Sequence, residues 1–203
     1  MVKILKDNSY LKRQIADFAY NEFRRKGVKA VKMDDLAATL GISKRTIYEL
    51  FEDKEALLVE GLRIDFEKAQ RQINDILNEE GQFFEAFVKW LSVSVSEIQG
   101  INYNFIIDLA HYQKVQEYFN QRKAMHHQNT QALMDRGVAE GVFRSDIDYS
   151  ILINIQDIIK KEIIHLNVVN ESNYTTYFKS FQMVVLRGVC TEKGLQILNK
   201  YDF

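Results

Sequence analysis

Proline is absent from this chain, and cysteine occurs once, at Cys190. Without proline, no helix is stopped by a missing N–H donor, so interruptions fall to glycine and polar turns. One cysteine cannot form an intrachain disulfide or build a thiolate metal cage, which fits a reducing cytoplasm. No uncharged apolar run reaches the ~18 residues expected of a membrane-spanning helix. The opening MVKILKDNSY turns polar too soon to hold a secretory apolar region. The glycines are too scattered for a dinucleotide fingerprint, and no phosphate loop, zinc spacing or nucleophile–base motif appears. The residues therefore point away from an enzyme, with no cofactor and no metal expected.

What is present supports a packed core. Of 203 residues, 46% are hydrophobic and 27% charged, which suits one domain or two modest ones. The net charge of −1 hides an uneven distribution. Residues 1–48 hold eleven basic against five acidic side chains, and the remainder holds sixteen against twenty-three. A basic head on an acidic body suggests that only the head approaches a polyanion.

Helical periodicity runs throughout. The first helix is expected from near Asn8 or Ser9, either of which can cap it. Leu11, Ile15, Phe18, Ala19 and Phe23 form its buried stripe. Arg24, Arg25 and Lys26 fill its last turn, where cations complement the helix dipole, and Gly27 stops it. A second helix covers about Met33 to Leu40. Gly41 permits a sharp turn, Ile42 plugs the angle, and Ser43 caps a third helix running to about Phe51. The third helix turns Ile47, Leu50 and Phe51 inward and Lys44, Arg45 and Tyr48 outward. Asp53 caps a fourth helix that reaches about Glu79. Further helices are expected at about 82–99, 102–112, 113–140, 147–168 and 173–199, giving an all-α chain.

A short helix, a tight turn and a second helix with a compact cationic, tyrosine-bearing face suit insertion into the DNA major groove. The residues carrying this pattern are Ile15, Ala16, Phe18, Gly27, Asp35-Leu36-Ala37, Gly41-Ile42-Ser43, Thr46-Ile47-Tyr48, Phe51, Lys54-Glu55 and Leu57-Leu58. Over this first quarter the chain resembles the TetR family of bacterial transcriptional repressors. The resemblance implies a helix-turn-helix DNA-binding domain at 1–54. It implies a helical-bundle domain for effector binding and dimerisation at 55–203. It further implies a cytoplasmic homodimer on a palindromic double-stranded operator, controlled by a small molecule. Thr46 and Tyr48 match positions that contact the DNA backbone, and Lys54 matches a lysine that approaches phosphate. Lys44 and Arg45 fall where family members place base-reading side chains.

Three departures stand out. Lys32 replaces the usual Ser or Thr cap of the second helix and adds a possible phosphate cation. Arg45 occupies a position that is often glycine. Glu49 and Leu50 follow Tyr48 where many members carry an aromatic and a histidine, so Glu49 either accepts from cytosine N4 or repels phosphate.

In the body, Trp90, Tyr103, Phe105, Asp108, His111 and Tyr112 are the candidate effector contacts, with Phe87 and Phe119 as further aromatics. Such residues are also ordinary core. Ile155, Ile159 and Ile163 with Tyr177, Phe181 and Val185 lie on helices apolar nearly all round, which must be buried within the monomer or against a partner; the resemblance implies that this helix pair forms the dimer face. Gly188 allows close approach there. An alternative reading uses the i, i+3 pairs Asp108–His111 and Glu162–His165 as a helical metal site. Its plain counterpart is polar decoration of helix surfaces.

Overall fold

A computed structural model describes residues 2–98, 100–165 and 169–201, with the backbone alone for 2–7, 160, 164 and 165. Among them run helices α1 (Val2–Lys26), α2 (Met33–Thr39), α3 (Lys44–Leu50), α4 (Lys54–Leu77) and α5 (Phe83–Ile98). These are followed by α6 (Tyr103–Leu109), α7 (Gln113–Ala139), α8 (Tyr149–His165), α9 (Tyr174–Val189) and α10 (Glu192–Leu198). The fold is all-α, as the periodicity predicts.

Two compact units result: Met1–Gln70 with Ile101–Gln121, and Arg71–Gly100 with Arg122–Phe203. The boundary expected from the sequence falls after Lys54. Packing divides the chain differently, because α6 and the start of α7 supply Phe105, Val115 and Tyr118 to the first core.

In the first unit the expected stripe of α1 is buried at Ile15, Ala19 and Phe23. It meets Leu36 and Ala37 of α2, Ile47 of α3, and Leu57 and Leu58 of α4. Gly41 makes the α2–α3 turn at φ 66°, a left-handed conformation that any side chain would strain. Gly61 serves contact instead: a Cβ there would lie 2.7 Å from the Tyr20 Cβ, so its absence lets α4 close on α1. The Tyr20 ring also meets Phe105 edge-on at 5.7 Å, and its hydroxyl donates to Asp65 at 3.2 Å.

The second unit closes around Phe83, Phe84, Phe87, Val88, Leu133, Phe143 and Leu186. The Phe143 ring stands edge-on to Phe84 and Phe87, at 5.4 and 5.9 Å. Such aromatic pairs add specificity to simple area burial.

Three boundaries differ from expectation. Helix α1 begins at Val2, so Asn8 and Ser9 lie inside it; no glycine or proline precedes them to stop propagation. The first turn of α6 begins at Tyr103, capped by Asn102, and the helix ends at Leu109. The long last helix expected at 173–199 is two helices. Cys190 is extended and bridges Phe143. Thr191 N–H then donates to Val142 O at 3.0 Å, and the Thr191 hydroxyl caps α10 by accepting from Gly194 N–H at 3.2 Å. Residues 166–168, expected at the end of α8, lie outside the described residues.

Candidate functional site

Helix α3 is held from beneath and at its start. Ile47 is fully buried. The Ser43 hydroxyl oxygen accepts from Thr46 N–H at 3.0 Å and bonds the Thr46 hydroxyl at 2.8 Å. Ser43 and Thr46 thus fix the first turn while standing next to the outward face. The side chain of Arg45 is 87% exposed, and Tyr48 is 51% exposed. These values decide the orientation: the polar face of α3 is open to a partner. The Tyr48 hydroxyl has no hydrogen-bond partner among the described residues.

The cations of that face are not loose. Lys44 Nζ donates to Asp34 of α2 at 2.5 Å, and this bond holds its pKa above the ordinary lysine value. Arg45 donates through Nε to Glu49 Oε1 at 2.7 Å, one helical turn on. That bond likewise raises its pKa. Among the described residues no partner sits on the two terminal nitrogens of Arg45. Lys32 is the N-cap residue of α2, exposed, and its side chain makes no capping bond. The lost cap expected from the sequence is therefore present as a structural fact.

Lys54 is arranged otherwise. Its ammonium donates to the carbonyl oxygens of Val28 and Val31 at 3.0 and 3.1 Å. Partial burial lowers its pKa. Its tip ties the start of α4 to the α1–α2 turn. Next to it Asp53 caps α4 by accepting from Ala56 N–H at 2.6 Å. Asp53 is also paired with Lys114 at 2.7 Å, which pulls its carboxyl below the ordinary range.

The second unit contains a cavity of about 170 Å³. Trp90, one of the candidate effector contacts, lines it together with Phe87, Tyr149 and aliphatic side chains of α5, α7, α8 and α9. His126, Thr130, Gln156, Asp157 and Gln182 provide its polar lining. Asp157 accepts from His127 Nε2 at 2.6 Å and has Lys123 Nζ at 3.6 Å. Among the described residues neither His127 nor Lys123 lines the cavity.

Tyr103, Phe105, Asp108, His111 and Tyr112 are not brought to that cavity; all five belong to the first unit. Phe105 is core against Tyr20. Asp108 is buried and accepts from Lys29 N–H at 3.0 Å, with Lys29 Nζ at 3.2 Å. His111 directs Nδ1 to Ile107 O at 2.9 Å. The alternative metal set falls partly outside the described residues. Asp108 is committed to Lys29, and Glu162 belongs to the second unit. The His165 side chain lies outside the described residues. Among the described residues no group of three or more His, Cys, Asp or Glu could hold an ion.

Apolar exposure is concentrated on α8 and α9. Ile151, Ile155 and Ile158 are exposed on α8, and Tyr177 and Val184 on α9. Ile159, Ile163 and Phe181 are half-buried. Val185 lines the cavity. Gly188 has nothing within 4 Å of where a Cβ would stand, so its surface is open.

Sequence reasoning missed Asp34 as the partner of Lys44, and Gln156, Asp157 and Gln182 as cavity residues. The signal for the last three was visible: polar side chains interrupt otherwise apolar helices, as in ILINIQDII.

Residues 15–60 match the family model described as "Bacterial regulatory proteins, tetR family". No curated protein matches the chain in sequence. Solved structures share the fold. A TetR family regulator from Cytophaga hutchinsonii superposes with TM-score 0.63 at 15% identity, covering 92% of this chain and 98% of that one. A regulator from Saccharomonospora viridis in complex with choline gives 0.61 at 19%, covering 91% and 100%. The TetR family regulator PfmR from Thermus thermophilus gives 0.55 at 21%, covering 85% and 97%. Among the described residues no helix is long and apolar enough to cross a membrane. The exposed cationic face of α3 falls inside the segment that matches the tetR-family model, and the chain as a whole shares the fold of these regulators.

Proposed function

We propose that the protein is a cytoplasmic repressor that binds a palindromic operator as a homodimer and is released by a small effector. It acts by binding and catalyses no reaction. Residues 1–54 serve as the DNA-binding domain, and 55–203 carry effector binding and dimerisation. The observation that carries this reading is the open face of α3. Arg45 and Tyr48 project from a helix whose opposite side is locked into the core through Ile47.

In this reading Arg45 reads a guanine edge through its terminal nitrogens, and Lys44 exchanges Asp34 for a base or phosphate. Tyr48 donates its hydroxyl to phosphate. Ser43 and Thr46 approach the backbone at the helix start, where N–H groups favour anions. Lys32 adds a phosphate cation ahead of α2. Lys54 supports the interface by holding the α1–α2 turn. The exposed stripes of α8 and α9 supply the dimer face. Ile155, Ile159, Ile163, Tyr177 and Phe181 lie on these two helices, and Val185 is shared with the cavity. Exposed apolar stripes of this kind mark association surfaces.

The cavity of the second unit supports the effector role, and the choline complex of the S. viridis regulator is a precedent for a small molecule in a protein of this fold. Release requires the effector to prefer the conformer that fits DNA poorly. About 100-fold preference supplies roughly 2.7 kcal/mol of coupling. The test is titration of the full chain onto a duplex selected from random DNA. The reading expects a dimer on two symmetric half-sites. A monomer on an asymmetric site would sink it.

A further inference from the structure

The cavity has a chemical bias that its size and walls define. At about 170 Å³ it exceeds the ~150 Å³ known to admit one benzene ring, so it suits a single ring with a short headgroup. Three of its walls are aromatic: Phe87, Trp90 and Tyr149. The polar tips of two of these are spent elsewhere. Trp90 Nε1–H donates to Gln72 at 3.2 Å, and the Tyr149 hydroxyl donates to Arg144 O at 2.7 Å. What these residues offer a ligand is ring surface, whose electron-rich faces attract cations.

The lining carries one carboxylate, and His126 is its one side chain able to take up positive charge among the described residues. Asp157 is its one acidic residue, and no Lys or Arg lines the cavity among the described residues. The basic partners of Asp157, His127 Nε2 at 2.6 Å and Lys123 Nζ at 3.6 Å, stand off the lining. They keep the carboxylate tolerable beside an apolar cavity, since an unpaired buried charge is costly. A bound anion would meet that carboxylate with His126 as the one basic group of the lining and no Lys or Arg beside it. A bound cation meets both the carboxylate and the rings.

We infer that the effector is a compact organic cation, one ring in size, whose ammonium head lies toward Asp157 and whose apolar body lies against Phe87, Trp90 and Tyr149. This deepens the effector reading proposed above and rests on it. A protonated amine and a quaternary ammonium share this chemistry. They differ in whether the head donates hydrogen bonds to Asp157, Gln156 and Gln182.

Calorimetric titration of the full chain with four probes decides the matter: 2-phenylethylammonium, benzyltrimethylammonium, 2-phenylethanol and 3-phenylpropionate. At least one cation should bind about tenfold or more tightly than the alcohol, and the carboxylate should not bind in the same range. Tighter binding of the primary ammonium identifies a hydrogen-bonding head; tighter binding of the quaternary one identifies ring contact as dominant. Asp157→Asn should weaken the cation about tenfold while leaving the alcohol within twofold, which also reports an intact cavity. Trp90→Leu gives a second reading: the cation should lose more than the alcohol. The inference is overturned if the carboxylate binds as well as the cations, if Asp157→Asn weakens cation and alcohol equally, or if none of the four binds. Operator binding is measured separately with the same cation. Binding of the cation without DNA release would leave the site standing and sink its regulatory role.

Discussion

Replacing Arg45 by alanine is the sharpest test of the proposal that the open face of α3 reads DNA, and its magnitude follows from the geometry. Arg45 uses Nε on Glu49 at 2.7 Å, so its two terminal nitrogens form the available edge. That edge fits the O6 and N7 acceptors of one guanine, a contact worth about 5- to 150-fold in discrimination. Arg45→Ala should therefore lower affinity for the selected operator by that factor and flatten preference at one position per half-site. Preference elsewhere should hold. Glu49 sharpens the test. If it only steadies Arg45, Glu49→Gln should change discrimination at the same guanine by about twofold, the scale of an exposed i, i+4 pair. It should also strengthen non-specific binding, because a carboxylate near phosphates is removed. If Glu49 instead accepts from cytosine N4, Glu49→Gln would flatten a second, different position. Fluorescence anisotropy against a panel of single-base operator variants, at fixed salt, resolves these cases. An Arg45→Ala protein with unchanged sequence preference would refute base reading by this residue.

Lys54→Met should reduce stability by about 1–2 kcal/mol, after discounting for solvent, because two carbonyls lose a charged donor. Its affinity should fall with little change in the salt dependence of DNA binding. A log–log slope lowered by about one unit would instead make Lys54 a direct phosphate ligand. Gly61→Ala should cost about 1–3 kcal/mol in urea unfolding, since the added methyl meets the Tyr20 Cβ; a neutral result would show that α1 and α4 can separate freely there. The double change Ile158→Glu and Val184→Glu should leave the fold intact by circular dichroism and shift sedimentation at micromolar concentration from dimer to monomer. A dimer of unchanged stability would remove α8 and α9 from the interface.

The head was legible because its determinants are local. Ser43 caps three residues ahead, Gly41 turns the chain where it stands, and Ile47 faces inward by helical period alone. The same local rules misplaced the start of α1, where nothing in VKILKDN stops a helix. They also missed the break at Cys190. That break depends on Phe143 and Val142, far away in sequence, which pair with the backbone at Cys190 and Thr191. The effector candidates divided for a related reason. Trp90 reached the cavity, whereas the α6 residues chosen for their aromatic and acidic character pack into the first unit. Phe105 meets Tyr20 and Asp108 meets Lys29, and neither partner is suggested by the α6 sequence. Asp53 as the cap of α4 puts Lys54 in its first turn, but the direction of the Lys54 ammonium depends on two carbonyls in a loop more than twenty residues earlier.

The central claim is that α3 reads duplex DNA in a symmetric pair. Selection of bound fragments from random duplexes by the full chain tests it most directly. The account predicts enrichment of an inverted repeat with half-sites about one helical turn, or a multiple, apart, bound more weakly as salt rises. Recovery of no preferred sequence, with retention indifferent to salt, would contradict it.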